Sequence, residues 1–154
     1  MQAIGSFVLL LALASTQTPP DFSGEWVAVT PPLAGQRLTV TQTAETIRLR
    51  HMLPEGEYVA EYRLDGQILV APTKYSPGGR LTLSAKWENG KLLLTDVSNS
   101  DGLLRIQRTV SFDKDGFLIL ELNSPRLAPD VVPEQAHRHS DNIVEPSRVV
   151  YRRR

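Results

Sequence analysis

The chain has 154 residues, 17 basic and 17 acidic side chains giving zero formal net charge, and no cysteine. That length suits one domain that buries roughly 70% of its unfolded surface, and the balanced charge offers no electrostatic footprint for nucleic acid or an anionic membrane. Without cysteine, disulfides, thiolate metal sites, cysteine nucleophiles and an acylated-cysteine anchor are excluded, so the core alone must hold the fold.

The first twenty residues carry no charge, and Ala3 to Ala14 form an apolar run broken only by Gly5 and Ser6 and ending in Ala12-Leu13-Ala14. Such a run reads as the apolar region and small-residue cleavage site of a secretory signal. The expectation is a signal peptide over residues 1–14, with cleavage placed after Ala14 or as late as residue 20, and a secreted or periplasmic location. The run is shorter than the roughly 20 apolar residues of a membrane span, so no stable membrane insertion is expected after cleavage.

From Asp21 onward, short alternating apolar segments recur at regular spacing with turn residues between them, the mark of an all-β sandwich or barrel. The predicted strands are Gly24–Val29, Gln36–Gln42, Glu45–Met52, Glu57–Leu64, Gln67–Pro72, Arg80–Trp87, Lys91–Ser98, Leu103–Phe112, Phe117–Asn123 and Arg148–Arg153. Turn lengths then set register, since a slip of one residue inverts every side chain.

A Thr43-Ala44 turn pairs Val40 with Ile47 and Leu38 with Leu49. A loop from Leu53 to Gly56 pairs His51 with Tyr58, Leu49 with Ala60 and Ile47 with Tyr62. Asp65-Gly66 and Asn89-Gly90 suit two-residue hairpin turns that need positive φ; the first sets Tyr62 against Leu69, and the second sets Trp87 against Leu92, Ala85 against Leu94 and Leu83 against Asp96. A three-residue loop at Ser100-Asp101-Gly102 sets Asp96 against Ile106 and Leu94 against Arg108. A four-residue loop from Asp113 to Gly116 sets Phe112 against Phe117, Val110 against Ile119 and Arg108 against Glu121.

Each hairpin places apolar residues on one face, while Arg37, Thr39, Arg48, Arg50, Glu61 and Arg63 are among those on the other. Consecutive strands with one greasy face favour an up-and-down antiparallel meander of eight to ten strands closed into a lipocalin-like barrel, because closure removes exposed edges. One such domain is expected over 21–154, with a Pro-rich loop at 124–147 and a turn-rich insertion at 74–79.

The segment Gly24-Glu25-Trp26 resembles the Gly-x-Trp opening of lipocalins and related calycins, including small bacterial secreted proteins. In that family the tryptophan closes one end of the barrel under an arginine from the last strand, and the resemblance implies this structural role for Gly24, Trp26 and either Arg152 or Arg153. Fatty-acid-binding proteins of the same superfamily end in an Arg-x-Tyr pair that holds a lipid carboxylate. Here Arg148-Val149-Val150-Tyr151 is one residue longer, which sends Arg148 and Tyr151 to opposite faces and stops that site from being carried over.

The register also brings charge inside. Asp96, Arg108 and Glu121 fall on the apolar face with Arg108 across from Glu121 and diagonal to Asp96, and buried charges persist only when paired and hydrogen-bonded. His51 and Tyr58 form a second inward polar pair. These five residues are the candidate ligand contacts; a register-fixing ion cluster and a packing contact are the simpler accounts of them. His137, His139 and Asp141 form a weaker metal candidate, since alternate residues of an extended segment share a side; two solvated histidines are the simpler account, and no metal or other cofactor is expected.

No nucleophile elbow, phosphate-binding glycine loop or zinc-protease helix is present, so no catalytic residue is assigned and an enzyme is not favoured. The expected function is an exported binding protein that holds a small, at least partly apolar molecule in the barrel. The alternative is an interaction or inhibitor protein with an envelope protein partner, acting through its loops around a filled barrel.

Overall fold

The computed structural model describes residues 18–54, 56–72, 80–98, 104–127 and 148–154. Ten strands follow one another: β1 (Gly24–Ala28), β2 (Arg37–Gln42), β3 (Thr46–Leu53), β4 (Gly56–Arg63), β5 (Leu69–Pro72), β6 (Arg80–Glu88), β7 (Lys91–Ser98), β8 (Leu104–Phe112), β9 (Leu118–Leu127) and β10 (Arg148–Arg153). They make one sheet in the order β4-β3-β2-β1-β10-β9-β8-β7-β6-β5, with every ladder among the described residues antiparallel. The all-β meander and nearly closed barrel are therefore as the sequence predicts. Pairing of β1 with β10 joins the two halves, and no ladder joins β4 to β5 among the described residues.

Alternation puts Leu38 and Val40 of β2, Ile47 and Leu49 of β3, and Leu92 and Leu94 of β7 in one buried core. Three hairpin registers agree with the turn-based expectation throughout: His51 faces Tyr58 and Ile47 faces Tyr62 across β3–β4, Trp87 faces Leu92 with Leu83 facing Asp96 across β6–β7, and Asp96 faces Ile106 with Leu94 facing Arg108 across β7–β8. Asn89 and Gly90 of the second turn both have positive φ, at 50° and 75°, as a two-residue turn of this kind requires.

Three registers differ, each for a local reason. In β2–β3 the observed partners are Val40 with Leu49 and Leu38 with His51, two residues away from the expected ones. The Thr43 hydroxyl accepts from the amides of Glu45 and Thr46 at 3.2 and 3.0 Å, which moves the turn to Ala44-Glu45. An even shift keeps the same faces inward.

Between β4 and β5 the expected Tyr62–Leu69 pairing does not form. Asp65 binds the Arg63 side chain and accepts from the Gln67 amide at 3.0 Å, so the chain turns away before Leu69 and the two strands part.

In β8–β9 the shift is odd. Asp113 donates its amide to the Phe117 carbonyl at 3.0 Å, and its side chain accepts from the amides of Asp115 and Phe117 at 2.9 Å each. Phe117 is thereby held in the loop, Phe112 pairs with Leu118, Val110 with Leu120 and Arg108 with Leu122. Leu118 consequently points into the core, and Glu121 is exposed opposite Thr109. Strand β9 also continues to Leu127, past the expected end at Asn123 and into the stretch read as a Pro-rich loop. Residues 1–17, 55, 73–79, 99–103 and 128–147, with the expected signal peptide, the expected three-residue loop at 100–102 and most of the two longer expected loops, lie outside the described residues.

Candidate functional site

The barrel is packed solid at one end and hollow toward the other. At the solid end Phe22 stacks on Trp87 with ring centroids 5.9 Å apart, and Phe112 lies 5.0 Å from Phe22 and 5.9 Å from Trp26. Trp26 is buried and donates its indole N–H to the Phe22 carbonyl at 3.1 Å. The Arg153 guanidinium lies 4.9 Å over the indole ring and donates to the Ser23 carbonyl at 2.8 Å, so both its charge and its hydrogen-bonding geometry favour this seat. Arg152 pairs with Val27 and is exposed. Of the two expected arginines, the cap is therefore Arg153. Gly24 has φ of 145°, a backbone conformation that residues with a Cβ rarely adopt, and it lies beside the Arg153 guanidinium and the Trp26 indole.

At the other end lies a cavity of about 400 Å³, within the range of small-molecule sites. Its walls come from β3 and β4 (Leu49, His51, Tyr58, Ala60, Tyr62), from β8 (Arg108), from β9 and β10 (Leu120, Leu122, Val149, Tyr151), and from connecting segments (Leu33, Gln36, Leu53, Pro54). Most are apolar, and His51, Tyr58 and Tyr62 gather near Arg108.

Strand alternation explains that cluster. Asp96 follows Leu92 and Leu94 on the inward face of β7 and is the one buried charged residue among the described residues. Arg108 sits across from Leu94 and reaches diagonally to Asp96, Nη1 to Oδ2 at 2.6 Å, with both side chains largely shielded. From β4, the Tyr62 hydroxyl donates to Asp96 Oδ1 at 2.7 Å. Burial first, and then the Asp96 charge, push the Tyr62 phenol well above its usual range, so it stays protonated and keeps donating.

Sequence reasoning thus brings Asp96 and Arg108 together, while Glu121 is corrected: the odd register shift turns it outward and Tyr62 is the third member instead. Tyr62 was legible only as an apolar wall residue, because its hydroxyl meets Asp96 across the gap between β4 and β5, where no ladder predicts contact.

His51 and Tyr58 are cross-strand neighbours with ring centroids 6.2 Å apart, and both line the cavity. Burial first, then the nearby Arg108 charge, hold the His51 pKa down to about 4. At neutral pH the imidazole is uncharged, with one nitrogen donating and one accepting.

Tyr151 and Val149 were absent from the expected site, though their spacing in the closing strand marks them as inward. Arg148 is exposed and Tyr151 buried, so the two do point apart. Leu120 and Leu122 were missed through the β8–β9 register; the alternation of Leu118, Leu120 and Leu122 was the available signal. His137, His139 and Asp141 lie outside the described residues, and among the described residues no three metal-capable side chains cluster.

An up-and-down antiparallel barrel capped by a Gly-x-Trp segment and an arginine from its last strand, hollow at the far end, defines a calycin-like fold. A solved structure of a mutant of the fluorescent protein UnaG is similar, with a TM-score of 0.54, 14% sequence identity, and coverage of 86% of this chain and 96% of that one. No protein-family model matches the chain, and no curated protein matches it in sequence.

Proposed function

We propose that the protein is exported and binds a small, partly apolar molecule inside its barrel. The observation that carries this is the cavity of about 400 Å³ whose walls are mainly Leu, Val, Ala and Pro, with Arg108, His51, Tyr58 and Tyr62 on one side. Pockets with an apolar lining and a few convergent polar groups are the usual form of small-ligand sites. The structural likeness to UnaG supports the barrel that such a site needs. A hollow interior speaks against the alternative of a loop-acting inhibitor or envelope partner built on a filled barrel. Export is supported by the uncharged, apolar Ala3 to Ala14 segment with small residues at its end.

Two measurements test the proposal. Native mass spectrometry of the protein isolated from its natural source, after secretion, shows a bound small molecule and a mature N-terminus between Ser15 and Asp21. Replacing Leu122 with Trp fills the cavity and removes that adduct while the far-UV circular dichroism stays that of a β-barrel. A ligand retained by Leu122→Trp overturns the site, and a chain that is never cleaved or exported overturns the location.

A further inference from the structure

The charge carried by the cavity wall restricts what can enter it. Among the described residues lining the cavity, Arg108 is the sole Lys, Arg, Asp or Glu, and its guanidinium is already engaged by Asp96 at 2.6 Å. Asp96 is in turn anchored by Tyr62 from the opposite edge of the sheet gap, at 2.7 Å. His51 adds no charge at neutral pH. Among the described residues, the charges on the polar side of the cavity therefore sum to zero.

From this balance we infer that the cavity selects a ligand with an uncharged, hydrogen-bonding head, an alcohol or primary amide on an apolar body, and discriminates against a carboxylate. The inference rests on the ligand-binding reading proposed above and names the ligand class for the same site. A carboxylate entering beside Arg108 has two options. It can displace Asp96, leaving a buried carboxylate held by Tyr62 alone, or it can remain without a cation of its own next to the Asp96 charge. Either arrangement leaves an uncompensated buried charge, which is strongly unfavourable.

An uncharged head avoids both outcomes and matches the surface in kind. Arg108 donates, Tyr58 both donates and accepts, and neutral His51 offers one donor and one acceptor. A hydroxyl or amide can use donors and acceptors together, whereas a carboxylate can only accept. The apolar body has Leu49, Leu120, Leu122 and Val149 to lie against.

The test compares decan-1-ol, decanamide and sodium decanoate, which share a chain length, by isothermal titration calorimetry on the full-length protein at neutral pH, below the solubility limits of the alcohol and amide and the micellar concentration of the decanoate. The alcohol and amide bind tighter than decanoate by roughly tenfold or more. In Asp96→Asn the counter-charge is gone, so decanoate gains roughly tenfold relative to decan-1-ol. Decanoate binding as tightly as the neutral ligands in the wild type, or gaining nothing in a folded Asp96→Asn protein, overturns the selectivity and leaves the ligand-binding reading standing. If none of the three binds, the ligand-binding reading itself falls, and this inference with it. Should Asp96→Asn fail to fold, the wild-type ratio decides alone.

Discussion

Replacing His51 with glutamine keeps a polar side chain in the cavity wall but removes a titrating group, and its consequence is a change in how stability depends on pH. In the unfolded chain the imidazole has its ordinary pKa of 6.5, while in the fold burial and Arg108 bring it down to about 4. As pH falls through 6.5 the unfolded chain takes up a proton that the folded chain refuses. Stability is therefore fully present above about pH 6.5, declines between 6.5 and about 4, and stops declining on this account below that. The difference corresponds to about 3 kcal/mol at full extent, and the partial exposure of the ring lowers the expected value to about 2 kcal/mol. Urea unfolding followed by tryptophan fluorescence across this range, for wild type and His51→Gln side by side, isolates the effect. Carboxylates such as Asp65, whose pKa is held near 2 chiefly by the Arg63 side chain, titrate alike in both proteins and cancel. The wild type loses about 2 kcal/mol more than the variant between about pH 7.5 and 4. Parallel curves refute the buried, neutral histidine.

Tyr62→Phe removes the hydroxyl that donates to buried Asp96 and leaves the aromatic packing in place. It lowers stability by about 2 kcal/mol, because a charged acceptor loses a buried donor, with the urea midpoint falling and the slope unchanged; a loss below about 0.5 kcal/mol contradicts the bond's role in bridging the sheet gap. Arg153→Leu costs about 1–2 kcal/mol through the lost guanidinium–indole contact and the bond to Ser23 and alters Trp26 fluorescence. Arg152→Leu, at an exposed position one residue earlier, stays within about 0.5 kcal/mol, and equal effects for the two remove the assignment of the cap to Arg153.

Much of this molecule is written in its local pattern. The ten strands, the inward faces of β3, β4, β6 and β7, and the diagonal approach of Arg108 to Asp96 follow from period-two alternation and from turns such as Asn89-Gly90, because each depends on residues close in the chain. The Asn89-Gly90 turn, with positive φ at both positions, leaves little freedom, so register propagates correctly from it, whereas Asp65-Gly66 closes no hairpin. Where a turn's length depends on side chains capping its backbone, pattern alone falls short. Thr43 and Asp113 each move a turn, and at Asp113 the one-residue difference puts Glu121 in water and Leu122 against the cavity.

Other features were decided only when the sheet closed. The parting of β4 from β5, the reach of Tyr62 across that gap to Asp96, and the choice of Arg153 over Arg152 all join residues distant in sequence and unpaired by any hairpin. The hollow at one end is likewise a property of the assembled barrel: alternation says which side chains point inward, but whether they meet in the middle depends on the curvature of the whole sheet.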